Sequence, residues 1–114
     1  MVRNETEELL GKAEDYVSAS NAHDLRRIRS MLASNCSYRS TGTGRHDGVE
    51  AVMSMMQAFF TSNRDVRWQA ENYRWHEDRV VFDFLITLGG NTSSGVEELH
   101  FNDAGEICRI VVER

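Results

Sequence analysis

The spacing of apolar residues changes along the chain, and this change restricts the fold more than any other feature of the sequence. In residues 5–20 apolar side chains recur at steps of three and four, which places them on one face of a helix. Residues 80–88 show the period of two that is typical of a β-strand. Helices gathered before a run of strands predict a segregated α+β fold rather than an alternating β-α-β fold. At 114 residues we expect one domain spanning 1–114.

The first half of the sequence predicts three helices. A second, shorter helix follows the first, and Asn21 can cap it through its side-chain oxygen. Residues 36–41 alternate and predict a short strand, and residues 42–44 predict a loop. Asp47 and Glu50 have the spacing of a capping box at the start of the third helix. The buried stripe of this third helix is Val49, Val52, Met53, Met56, Phe59 and Phe60.

The second half predicts a meander of four strands, at residues 66–75, 80–88, 96–101 and 107–112. The inner face of the second of these strands is Val80, Phe82, Phe84, Ile86 and Leu88. Its other face also carries apolar residues, and the helices can cover only one face of the sheet. The second face therefore predicts a homodimer formed through the outer side of the sheet.

Composition excludes several classes of function. The formal net charge of -5 repels phosphate backbones, so we expect no nucleic-acid partner. No run approaches the roughly 20 apolar residues that cross a bilayer, so we expect no membrane partner and a cytoplasmic protein. Cys36 and Cys108 match no metal or redox spacing and are interpreted as reduced thiols. The sequence predicts neither a metal site nor a cofactor.

Three segments together resemble a known superfamily. Residues 15–25 place an aromatic residue before a segment ending in Asn-x-x-Asp-Leu, Gly44 and Gly48 lead into a helix, and residues 96–107 form a strand, a tight turn and a last strand. In this order they resemble the nuclear transport factor 2-like superfamily, in its ketosteroid isomerase-like and SnoaL-like (polyketide cyclase-like) branch. The resemblance implies a cone-shaped half-barrel, with three helices packed on a strongly curved, mainly antiparallel sheet that encloses a pocket.

The same resemblance implies two site residues and removes a third. Isomerases of this branch use a tyrosine and a protonated aspartic acid as donors to the substrate oxygen, and an aspartate as base. The tyrosine corresponds to Tyr16, and the protonated acid corresponds to Glu97, which is one methylene longer. The base position falls on Ser40, and serine needs a partner base before it can accept a proton. Steroid-type isomerisation by that route is therefore not expected.

The residues themselves support the pair independently. Tyr16 lies in the apolar stripe of the first helix, and Glu97 shares a strand face with Leu99 and Phe101. An acid among apolar neighbours has a raised pKa. We therefore hypothesise that Tyr16 and Glu97 are the catalytic pair of a common pocket. The alternative is a Tyr16 that only fills the core and a Glu97 exposed at the rim of the sheet.

Other residues are predicted to line the same pocket and bind a ligand. Trp68 and Trp75 have opposite parity on a regular strand, so only one faces inward unless a bulge intervenes, and Trp68 is preferred. Alternation places Asp83 and His100 on the outer face. The predicted ligand-binding residues are Tyr38, Ser40, Met56, Phe60, Trp68, Phe82, Phe84, Leu99 and Phe101.

Two functions remain open from the sequence. The first is a domain that binds a small apolar molecule in a pocket lined by Tyr16 and Glu97. The second is an isomerase-, cyclase- or hydrolase-like enzyme that acts on a small apolar carbonyl or hydroxyl compound, with Glu97 as general acid. The absence of a base favours the first, and the buried acid favours the second.

Overall fold

The structure, a computed structural model, describes residues 5–114 and contains within them three helices and six strands. The helices are α1 Glu5–Asn21, α2 Leu25–Met31 and α3 Val49–Ser62. The strands are β1 Leu32–Ser40, β2 Gly44–Asp47, β3 Arg67–His76, β4 Arg79–Leu88, β5 Asn91–Phe101 and β6 Ile107–Glu113. No helix in this range is long and apolar enough to cross a membrane.

The six strands form one mixed sheet that does not close into a barrel. Their order is β2-β1-β6-β5-β4-β3, and every neighbouring pair is antiparallel except β1 and β6, which run parallel. The helices α1 and α3 pack on this sheet. The α+β class predicted from the change of period is confirmed.

The hairpin of β1 and β2 differs from the prediction. β1 begins at Leu32, earlier than expected, and the strand β2 occupies residues that were predicted as loop and helix cap. Asp47 pairs with Ser37 in this hairpin, so Gly48 takes the N-cap position with no side-chain hydrogen bond. Glu50 instead binds Arg29 in two hydrogen bonds of 2.6 and 2.9 Å. The predicted capping box is therefore wrong.

Asn21 also has a role other than the predicted one. Asp24 caps α2, accepting a hydrogen bond of 3.1 Å from the backbone N–H of Arg27. The side-chain amide of Asn21 instead donates to the Trp68 carbonyl at 2.8 Å and accepts from the Trp68 N–H at 2.7 Å. These two bonds attach the start of β3 to the end of α1.

Asn21→Ala is expected to lower the free energy of unfolding by about 1–3 kcal/mol, because it leaves both backbone groups of Trp68 without their partner. Urea denaturation measures the loss. Asn35→Ala is the matched control, since Asn35 is exposed on β1. Equal stability of the two variants would contradict the attachment.

A β-bulge in β3 settles the orientation of the two tryptophans. The pairing of β3 with β4 shifts between Glu71 and Arg74, and Asn72 has a φ of 58°. Trp68 lies opposite Ile86 and Trp75 lies opposite Val80, and both rings pack against the core. The extra residue restores the parity that a regular strand would break, so both rings face inward.

The inner face of β4 is as predicted, and the outer face is more polar than predicted. Val80, Phe82, Phe84 and Ile86 are buried. Outside, Leu85 and Val96 are exposed among ion pairs, with an oxygen of Asp83 at 3.2 Å from Arg74 and an oxygen of Glu98 at 3.4 Å from Arg79 and 3.0 Å from His100. Homodimerisation through this face stays a prediction.

Candidate functional site

A cavity lies between α1, α3 and the inner face of the sheet. The space open to the centre of a water molecule measures about 50 Å³, which suits a small guest or a few waters. Most of its lining is apolar, with a few polar groups from α1, β1, β5 and the end of the chain. The lining residues are Tyr16, Val17, Ser20, Tyr38, Ser40, Thr43, Met55, Met56, Phe59, Phe60, Trp68, Phe82, Phe84, Ile86, Glu97, Val112 and Arg114.

Glu97 places a carboxyl group inside this apolar lining. It lies in the central strand β5 between Phe82 of β4 and Val112 of β6, and only 6% of its surface is exposed. Its carboxyl group has no hydrogen-bond partner among residues 5–114. Burial raises its pKa from 4.5 to about 8. At neutral pH the group is therefore mainly a neutral acid with a proton to donate.

Tyr16 contributes a second proton donor from α1. Its side chain is 5% exposed, and it lies one helical turn before Ser20, whose hydroxyl donates to the Tyr16 carbonyl at 2.9 Å. Burial, and then the charge of Glu97, raise the pKa of the phenol well above its ordinary value. Tyr16 therefore stays protonated and shares the cavity with Glu97.

Tyr38 and Ser40 face the cavity from β1. Burial first, and then the charge of Glu97, raise the pKa of the Tyr38 phenol. The Ser40 hydroxyl accepts a hydrogen bond of 3.0 Å from the Gly42 N–H. Ser40 is thus engaged in the turn after β1, and among the described residues no histidine and no carboxylate other than Glu97 lines this cavity to activate it.

Aromatic rings form part of the cavity wall. The Trp68 ring centre lies 6.1 Å from that of Phe59 and 6.1 Å from that of Phe60, and the Phe60 contact is edge-to-face. Phe60 stacks on His23 at 4.4 Å. Such a wall packs against flat apolar groups and excludes water.

Two predicted ligand-binding residues do not line the cavity. Leu99 is fully buried between Val80 and Ile110, because it lies two residues further along β5, where the core is closed. Phe101 contacts a separate hollow near Lys12. The other predicted residues do line it: Tyr16, Tyr38, Ser40, Met56, Phe60, Trp68, Phe82, Phe84 and Glu97.

Several lining residues were not predicted. Val17 and Ser20 share the helical stripe of Tyr16, and Ile86 alternates with Phe84, so periodicity already pointed to these positions. Thr43 and Arg114 follow strands, where no periodic pattern exists to place them. Within residues 5–114, no group of three or more His, Cys, Asp or Glu side chains is arranged to hold a metal ion.

Three helices packed on one open, mixed sheet around an internal cavity are the architecture of a class of small α+β proteins. A family model for the SnoaL-like domain matches residues 13–110, and the chain belongs to that family. Among curated protein sequences, none matches this chain significantly.

Solved structures share the fold at low sequence identity. A cystatin-fold protein from Novosphingobium aromaticivorans superposes with a TM-score of 0.84 at 16% identity, covering 93% of this chain and 97% of its own. A SnoaL-like protein of unknown function from Burkholderia thailandensis gives 0.82 at 20%, covering 96% and 97%. A candidate ketosteroid isomerase from Kribbella flavida gives 0.84 at 20%, covering 95% and 78%. These similarities establish the fold, and the function has to be argued from the site.

Proposed function

We propose that the protein binds a small, mainly apolar molecule that carries a carbonyl or hydroxyl oxygen, and that the molecule occupies the cavity between α1, α3 and the sheet. The observation that carries this proposal is the buried, unpartnered carboxyl group of Glu97 on the cavity lining. A buried polar group without a partner costs free energy, which a hydrogen-bonding ligand recovers.

The polar groups of the cavity suit such an oxygen. Protonated Glu97 donates one hydrogen bond to it, and the Tyr16 phenol supplies a second donor. Phe59, Phe60 and Trp68 contact the apolar body of the ligand. A few placed donors in an apolar lining are typical of small-molecule sites.

A second function, catalysis, is favoured by one observation. The pKa of Glu97, raised to about 8, lies close to neutral pH, where a carboxyl group can both give and accept a proton. In an enzyme Glu97 would act as general acid, and Tyr16 would stabilise negative charge on the substrate oxygen. The candidate ketosteroid isomerase from Kribbella flavida, which shares the fold, is consistent with this alternative.

Ligand binding is expected to change the fluorescence of Trp68. The chain has two tryptophans, and only Trp68 lines the cavity, so Trp75→Phe leaves a single reporter. We expect acetophenone and 2-phenylethanol to change the emission of this variant. We also expect them to stabilise the fold by about 2.7 kcal/mol at a hundredfold excess over Kd. Fluorescence and thermal titration measure both effects.

The reciprocal variant Trp68→Phe is the control, because it keeps the tryptophan that lies outside the cavity. It should lose the ligand-dependent emission change. Saturable changes of equal size in both variants would place the ligand elsewhere, and no effect of either compound on emission or stability would refute the proposed binding.

Turnover experiments separate the two functions. If the protein is an enzyme, Glu97→Gln should abolish turnover of a responding compound, and Tyr16→Phe should reduce kcat by about 10- to 1000-fold. Tyr73→Phe is the matched control, since Tyr73 lies against Phe82 but outside the cavity. Turnover that survives both site variants would remove the catalytic assignment, and binding without turnover would favour the ligand-binding domain.

A further inference from the structure

Arg114 brings a positive charge to the mouth of the cavity. Its side chain lines the cavity while the residue as a whole remains exposed. Among residues 5–114 no carboxylate lies within 4.0 Å of its guanidinium group, whereas Arg29, for example, is paired with Glu50 at 2.6 Å. The guanidinium is therefore available to a guest.

Two glycines make room for this side chain. A Cβ atom at Gly42 would lie 2.6 Å from Nη2 of Arg114, and a Cβ atom at Gly95, besides meeting Phe84 and the Glu113 carbonyl, would lie 2.9 Å from Cγ of Arg114. The Arg114 N–H also donates to Oγ1 of Thr41 at 3.2 Å. The stem of Arg114 thus lies over one glycine and its head over the other, so the guanidinium is held close to the cavity before any ligand arrives.

Further polar groups continue from Arg114 into the cavity. Oγ1 of Thr43 is buried on the lining next to the Tyr38 phenol, and among the residues the structure describes it makes no hydrogen bond of good geometry. Tyr38 lines the same cavity: beyond the effect of burial, the charge of Glu97 raises the pKa of its phenol, while the nearby Ser40 hydroxyl, the charge of Arg114 and the Thr43 hydroxyl lower it. Tyr38 therefore lies within electrostatic reach of both the deep acid and the cation at the mouth.

We infer that the ligand is a small carboxylic acid with an apolar body, whose carboxylate binds Arg114 and the Thr43 hydroxyl at the mouth while its far end reaches towards Glu97. A guanidinium presents parallel N–H groups that match a carboxylate, and a low-dielectric rim strengthens the attraction. This inference rests on the proposed function, because it requires that the cavity binds a guest.

The test compares phenylacetate with phenylacetamide, which has the same shape and no charge. In the Trp75→Phe background we expect phenylacetate to bind more tightly than phenylacetamide. Arg114→Gln should weaken phenylacetate by about five- to tenfold and leave phenylacetamide within about twofold. Arg39→Gln is the control. Arg39 is exposed and directly follows Tyr38 in β1, so its side chain points to the opposite face of the sheet, away from the cavity.

Gly42→Ala tests the position of the Arg114 guanidinium without removing its charge. Its added methyl group displaces only the end of a flexible side chain, so the fold should survive while the preference for phenylacetate falls. Equal binding of both compounds, unchanged by Arg114→Gln, would overturn the inference and leave the proposed function standing. Failure of both compounds, acetophenone and 2-phenylethanol to bind would overturn the proposed function and this inference together.

Discussion

Raising the pH from about 4.5 to about 8 is expected to destabilise the wild-type protein by about 3–5 kcal/mol relative to its Glu97→Gln variant. In the folded protein the buried carboxyl of Glu97 keeps its proton up to a pKa of about 8, whereas in the unfolded chain it loses the proton near 4.5. Between these values the unfolded state binds fewer protons, so each rise in pH favours unfolding. The stability contribution is complete below the unfolded pKa and is lost as the pH rises through the folded one.

Urea denaturation of both proteins at several pH values measures this difference. Glutamine has nearly the same shape as glutamic acid and no titrating proton. Subtracting the stability of Glu97→Gln from that of the wild type at each pH therefore removes the contributions of the other ionisable groups. The phenols that feel the charge of Glu97, those of Tyr16, Tyr38 and Tyr73, all have raised pKa values and do not titrate in this window.

Glu71→Gln is the matched control, because Glu71 is exposed on β3. Its stability should follow that of the wild type at every pH. Parallel pH curves for the wild type and Glu97→Gln would mean that the Glu97 carboxyl is solvated, and both proposed functions would then lose the buried acid on which they depend.

The position of Glu97 could be predicted because three independent patterns agree on it. Alternation in β5 puts it on the face of Leu99, alternation in β4 puts Phe82 on the same inner face, and the stripe of α1 turns Tyr16 towards them. Each pattern reflects burial, and burial is what periodicity reports. The prediction of lining residues extended too far along β5, to Leu99 and Phe101, since alternation gives the face of a residue but not whether it lines the cavity.

The short strand β2 could not be predicted for the same reason. Its four residues are mostly exposed, so no apolar alternation marks them. Asp47 also had the right spacing for a helix cap, and local spacing cannot show that pairing with Ser37 is more favourable. Exposed polar segments are placed by their partners rather than by their own composition.

The ends of helices show a competition that sequence alone does not decide. Asn21 and Asp24 both carry side chains that cap helices well. Asp24 caps α2 because it directly precedes the first residue of that helix, whereas Asn21 is the last residue of α1 and binds Trp68, which is distant in sequence. The position of Arg114 could not be predicted from local sequence either, since Gly42 and Gly95, the glycines that contact its side chain, come from other parts of the chain.

Phe82→Ala is expected to lower the free energy of unfolding by about 3–5 kcal/mol, because a fully buried ring is removed from the core. The same change should also lower the pKa of Glu97, since Phe82 is its direct neighbour on β4 and the vacated space admits water to the carboxyl. The pH-dependent loss of stability, measured as the difference between Phe82→Ala and the double variant Phe82→Ala/Glu97→Gln, should therefore be smaller than the same difference in the wild-type background. Phe82→Leu leaves a smaller space and should reduce the pH-dependent loss of stability by less. It should also remain folded if the alanine variant does not fold.

Ile110→Ala separates this coupling from a general loss of packing. Ile110 is also fully buried on the inner face but does not line the cavity, so its truncation should cost about 2–5 kcal/mol and leave the pH dependence of stability as in the wild type. If Phe82→Ala and Ile110→Ala destabilise the fold alike and neither alters that pH dependence, Phe82 does not shield Glu97 from water. If only Phe82→Ala alters it, the Phe82 ring keeps Glu97 protonated at neutral pH, which is the property on which both proposed functions depend.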